Sequence, residues 1–160
     1  MNMNTVTHAD TRFCLQRVAT GTPHETVLVT CKVAGQSWQP LKHLMYHSPD
    51  GFEWGYGGSG PADLARSMVG MLMDMQNPPP AVYQAVKEKL VACMPHAGGI
   101  ITAQQVLEVV RAMDDGMVFT IRVGGEQVWK LRWRGEIIGD WRERGPADAY
   151  LSLLRRGVEP

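Results

Sequence analysis

The chain has 160 residues, 44% of them hydrophobic and 20% charged, a composition of ordinary globular size and not that of a disordered or fibrous chain. Its 16 Lys plus Arg cancel its 16 Asp plus Glu, which excludes a general polyanion binder and a polyacidic mimic, so any electrostatic function has to be regional. Cys14, Cys31 and Cys93 are odd in number and widely spaced with no CxxC, arguing against a disulfide framework or a Cys-rich zinc site and for reduced thiols in a cytosol.

Residues 1–11 are polar, lack a basic and an apolar signal region, and read as a flexible leader. No stretch is apolar for long enough to span a membrane; the longest, Met68 to Met75, is interrupted by Gly70 and Asp74. Strands are expected at Arg12 to Val18 and Thr26 to Val33, joined as a hairpin through Thr20-Gly21-Thr22-Pro23, with Val27, Val29, Cys31 and Val33 on one side. The segment Ser37 to Leu44 leads into a Ser48-Pro49-Asp50-Gly51 turn and a short strand, Phe52 to Tyr56.

A helix should open at Pro61 with Gly60 as its cap and Asp63 complementing its dipole. Leu64, Met68, Met71, Leu72 and Met75 form its core stripe, leaving Met73 as an exposed contact. Pro78 to Pro80 end it. A second helix follows from Ala81 to Cys93, with Val82, Val86, Leu90 and Cys93 inward, and a third runs from a Thr102 cap to Met113. Strands resume at Val118 to Val123, turn at Gly124-Gly125, and continue as Val128 to Arg134 and Glu136 to Trp141. A last helix starts at Pro146 and ends near Arg156, before Gly157.

Trp54 followed by Gly60-Pro61-Ala62-Asp63 is echoed by Trp141 followed by Gly145-Pro146-Ala147-Asp148, which points to a strand-strand-strand-helix unit used twice. The alternative is good helix-starting chemistry used at two places. The expected class is α+β: two related antiparallel strand–turn–helix units with two additional helices between them, divided as 1–11, 12–113 and 117–158.

Gly55, Gly57 and Gly60 spell G-x-G-x-x-G, but no βαβ crossover follows and no Lys-Ser or Lys-Thr makes a P-loop. Gly57, Gly58, Ser59 and Gly60 remain a candidate anion or small-ligand turn, with a pocket near His47 and Asp63 as its requirement. His43 and His47 have i,i+4 spacing, with Asp50 or Glu53 as a third metal ligand, yet Pro40 and Ser48-Pro49 argue against a regular helix there. His47, Glu53, Ser59 and Asp63 match no nucleophile-elbow, deaminase, kinase or metalloprotease pattern, so no catalytic residue, metal or cofactor is assigned.

On Val128 to Arg134, Trp129, Leu131 and Trp133 point one way and Lys130, Arg132 and Arg134 the other; on the partner strand Phe119, Ile121 and Val123 oppose Arg122. Ala149, Tyr150, Leu153 and Leu154 of the last helix would cover the apolar face, leaving the other face basic and open. Residues 118–160 hold eight basic and six acidic residues, whereas residues 50–115 hold four basic and eight acidic, so the chain has opposite poles. Arg122, Lys130, Arg132 and Arg134, with Arg142 and Arg144 at the edge, are the candidate partner-binding residues. Pairing of these cations with Glu126, Glu136, Asp140 and Glu143 is the alternative.

The stretch from His47 through Ser48-Pro49-Asp50-Gly51-Phe52-Glu53-Trp54-Gly55-Tyr56 to Gly60-Pro61-Ala62-Asp63 resembles the signature of an uncharacterised domain family of phages, plasmids and other bacterial mobile elements, over roughly residues 12–113. That family has no assigned activity, cofactor or catalytic residue. The resemblance implies a cytoplasmic accessory protein in a bacterial host that binds and blocks a host protein or ribonucleoprotein complex, such as a CRISPR effector. Direct nucleic-acid binding through the basic face, and a small-ligand domain or enzyme at the Gly-rich turn, are the competing readings.

Overall fold

A computed structural model describes residues 10–21, 23–113, 116–134 and 136–157. The chain is α+β, with two antiparallel sheets and four α-helices among the described residues, in two compact units that divide between Val110 and Arg111. The expected leader lies outside the described residues except for Asp10 and Thr11. Thr11 is fully buried, and its carbonyl accepts the Ala103 N–H at 2.8 Å.

In the first unit β1 (Arg12–Ala19), β2 (Glu25–Lys32), β3 (Gln39–Pro40) and β4 (Gly98–Thr102) form one sheet in the order β3-β2-β1-β4. Strand alternation sends Phe13, Leu15, Val29 and Cys31 to the same face, where they meet α1 (Ser59–Met73). That helix is buried along most of its length; Leu64, Ala65, Met68 and Val69 are all at 0% exposure. A central helix can be apolar on several sides because α2 (Pro80–Val86) and α3 (Ala103–Ala112) complete the core with Tyr83, Val86 and Val106. Met73 is half-buried and packs against this core, so it is not the exposed contact expected of it.

Several expected elements differ. Helix α1 begins at Ser59, capped by Gly58, two residues before Gly60 and Pro61 were to start it. Residues 52–56 are not a strand: the Trp54 indole N–H reaches the Pro95 and His96 carbonyls at 3.1 Å and Gly55 N–H bonds Val91 O, so this segment is tied to residues 91–96 instead of to a sheet. The second helix passes into one turn of π-helix, Lys87–Val91, marked by the Ala92 N–H to Lys87 O bond of 2.8 Å. The wider turn changes the helix phase, so Val91 is buried after Val86 while Leu90 is only half-buried and Cys93 is exposed. Thr102 caps α3 as expected, its Oγ1 accepting the Gln105 N–H while Gln105 Oε1 accepts the Thr102 N–H, a reciprocal capping box.

The second unit is the meander β5 (Met117–Val123), β6 (Glu126–Trp133), β7 (Glu136–Trp141), followed by α4 (Arg144–Arg155). Gly124 and Gly125 have φ of +59° and +88°, the two positive values that a two-residue hairpin turn needs. Helix α4 packs on all three strands. Its buried residues are Ala147 and Leu151, with Tyr150 and Leu154 half-buried beside them; Ala149, expected inward, is exposed because the i, i+3, i+4 stripe that meets the sheet starts at Ala147. Each unit opens with three strands and a helix, the first then continuing through α2, β4 and α3, and both Gly-Pro-Ala-Asp phrases fall within the first five residues of their helices, with the acid past the first turn.

Candidate functional site

The signature segment of the first unit is organised around one buried carboxylate. Asp63 sits on α1 with no side-chain exposure and accepts backbone N–H groups from Tyr46 at 3.1 Å, His47 at 2.8 Å and Ser48 at 3.0 Å, with His43 Nε2 donating at 2.9 Å. Burial pushes its carboxyl upward, but the bonds from His47, His43, Ser48 and Tyr46 together outweigh it and hold the group below its ordinary value. Asp63 therefore fixes a non-helical loop and does not serve the helix dipole. Its donors lie 15 to 20 residues upstream, which no local pattern reveals.

His43 and His47 occupy this loop, not a helix, and take separate partners: Asp63 for His43 and the Tyr83 hydroxyl, at 2.9 Å, for His47. The i,i+4 metal reading loses its helical face, and among the described residues no group of three or more His, Cys, Asp or Glu is arranged to hold a metal. Glu53 is likewise committed. Arg17 grips it in a two-pronged pair of 3.0 and 2.7 Å, sends Nε to the His96 carbonyl at 2.8 Å, and lies 4.7 Å from the centre of the Trp54 ring. The bond to Glu53, opposed by burial and helped by the same carboxylate's charge, raises the Arg17 guanidinium further.

The Gly-rich turn is explained by packing. A Cβ on Gly60 would lie 2.7 Å from Glu53 Cβ and 3.1 Å from Glu53 N, so the helix start and the residue 53 backbone touch only because glycine is there. Gly57, Gly58 and Ser59 lead into that start without a preceding strand, so the strand-turn-helix context of a dinucleotide site is missing. A cavity of about 300 Å³ is present, lined by Leu41, Lys42, Leu44, Met71, Asp74 and Met75. It opens along the C-terminal half of α1, from Ser67 onward, ~12 Å along the helix from its start at the Gly-rich turn.

In the second unit the register redraws the basic face. Hairpin pairing sets Val123 against Glu126, and hence Ile121 against Val128, Phe119 against Lys130 and Met117 against Arg132. Directly opposed residues share a face. The open face therefore carries Met117, Phe119, Ile121, Val123 and Val128 together with Lys130 and Arg132, while Val118, Trp129, Leu131 and Trp141 face α4. Ile137 joins the open face opposite Arg132, where a bulge interrupts the β6–β7 register. Met117, Val123 and Ile137 are 50, 57 and 51% exposed.

The six candidate cations do not form one patch. Arg122 pairs with Gln127 on the α4 side, away from Lys130 and Arg132. Lys130 is bound to Asp140 at 2.6 Å and Arg144 to Asp148 at 3.0 Å, with Arg144 also 5.4 Å from the centre of the Trp129 ring. Arg134 lies beyond the end of β6 at φ +49° over the Trp133 ring, and Arg142 is exposed just after β7. The expectation of a uniformly basic sheet face is corrected: the face is apolar with embedded charges.

Residues 19–112 match the family of unknown function DUF6166, more than half of the chain, and the protein belongs to that family. No curated protein and no solved structure matches the chain. No helix among the described residues is long and apolar enough to cross a membrane.

Proposed function

We propose that this chain is a non-catalytic accessory protein that docks the open face of its β5–β6–β7 sheet on a macromolecular partner and blocks it. One observation carries the reading: Met117, Val123 and Ile137 stand about half exposed on a sheet face that α4 leaves uncovered. Apolar side chains ringed by charge suit a protein surface better than a phosphate backbone. Lys130 and Arg144 already hold carboxylates, which takes cations away from the nucleic-acid reading. The resemblance of the segment from His47 to Asp63 to a signature of phage and plasmid proteins supports a bacterial host complex, including a nucleic-acid-guided defence complex such as a CRISPR effector, as the class of partner.

The test is capture from a bacterial host with tagged protein, with and without nuclease, beside the Val123→Glu and Ile137→Glu variants. A defined complex retained after nuclease by the parent chain, lost by both variants, and inhibited on adding purified parent protein supports the reading. Recovery of nucleic acid alone, released at high salt, replaces it with direct nucleic-acid binding.

A further inference from the structure

A sheet edge is a row of unpaired N–H and C=O groups that recruits another strand unless something blunts it. Among the described residues, three of the four sheet edges are blunted. Strand β3 has two residues and ends in Pro40. Strand β4 has five, opens on Gly98 and Gly99 at φ +90° and +153°, and runs directly into α3. Strand β7 carries the bulge, with Glu136 and Asp140 near its ends. Strand β5 has none of these devices. Its seven residues, Met117 to Val123, include no Pro, no Gly and one charge, Arg122, and among the described residues it pairs only with β6.

We infer that the outer edge of β5 pairs antiparallel with β5 of a second copy of this chain. A two-fold axis perpendicular to the sheet keeps the open faces on one side and requires each opposed pair to share a face. An axis through Thr120 meets that condition and uses all seven residues: Met117 opposes Val123, Val118 opposes Arg122, Phe119 opposes Ile121, and Thr120 opposes itself. On the open face both kinds of contact are apolar, one of them an aromatic against a β-branched side chain. Charge selects the same register, because Arg122 falls opposite Val118, whereas an axis through Arg122 would set like charges together. The joined edge, ~23 Å long, turns two three-stranded sheets into one of six and sets Met117 beside Val123 of the second copy, leaving the shared open face uncovered for the docking proposed above. The strand is thus its own complement, which makes a second copy its occupant.

Thr120 is exposed, so a charge there is tolerated in the single chain but confronts its own mate across the axis. Sedimentation equilibrium over a wide concentration range should give twice the 17.8 kDa chain mass for the parent protein. Thr120→Lys and Thr120→Glu, each alone, should fall to the single-chain mass, and an equimolar mixture of the two should return to the dimer. A parent protein that stays at the single-chain mass throughout overturns the inference. So does a dimer that survives either substitution alone, or a mixture that stays monomeric.

Discussion

Phe119 of β5 stands directly opposite Lys130 of β6, and this one pairing decides what kind of surface the second unit presents. Had Phe119 faced α4, the opposite side would have been a run of lysine and arginine. Instead the aromatic ring shares its face with the lysine, and Lys130 takes its counter-charge from Asp140. The surface is amphipathic, and its exposed apolar members are the residues whose alteration should matter.

Val123→Glu should therefore weaken partner capture by at least about tenfold, the scale of one well-placed apolar contact, whereas Arg122→Glu on the α4 side should stay within about twofold. Competition binding with the captured partner measures both, and circular dichroism checks that each variant keeps the fold. Equal losses would place the binding surface elsewhere.

That distinction was available from the sequence, since a two-residue turn at Gly124-Gly125 sets Val123 against Glu126 and every later pair follows from it. The Thr102 cap, the strands of the meander and the hairpin of β1 and β2 were legible for the same reason: each rests on local chemistry. Strand β4 was hidden because two glycines shorten its apolar run to Ile100 and Ile101. Asp63 was misread because an acid in a first helical turn fits the dipole rule, while its actual donors come from a distant loop. Nothing local marks the π-turn at Lys87–Val91, whose effect is to move burial from Leu90 to Val91.

Arg17→Lys tests the clasp between β1 and the signature segment. A lysine keeps the charge but cannot engage both Glu53 oxygens, donate to His96 O and lie flat over Trp54 together. The expected loss is about 1–2 kcal/mol in urea unfolding, with Glu53→Gln similar and the double variant less than additive.

Gly60→Ala should cost about 1–3 kcal/mol, because the added methyl meets Glu53 Cβ and backbone, neither of which can swing aside. Gly57→Ala, with open space around its Cβ position, is the control and should change the midpoint little. Thermal unfolding followed by tryptophan fluorescence compares the two. A Gly60→Ala variant as stable as the parent would remove the packing account of the Gly-rich turn and return weight to a ligand there.

Asp63→Asn should be the most damaging of these substitutions. Four donors converge on the carboxylate, and an amide offers one acceptor oxygen while its NH₂ faces N–H groups, so a loss of about 3 kcal/mol is expected. The pH dependence has a definite sign. A carboxyl held lower in the folded chain than its unfolded value of about 3.9 contributes fully above that pH, and the contribution fades as pH falls through the folded value. Urea unfolding of the parent protein should therefore show stability dropping below about pH 4, and the Asp63→Asn variant should show a shallower acid slope. Parallel slopes in the two proteins would mean that Asp63 does not carry the proton linkage, and that the loop from His43 to Ser48 is held by its neighbours instead.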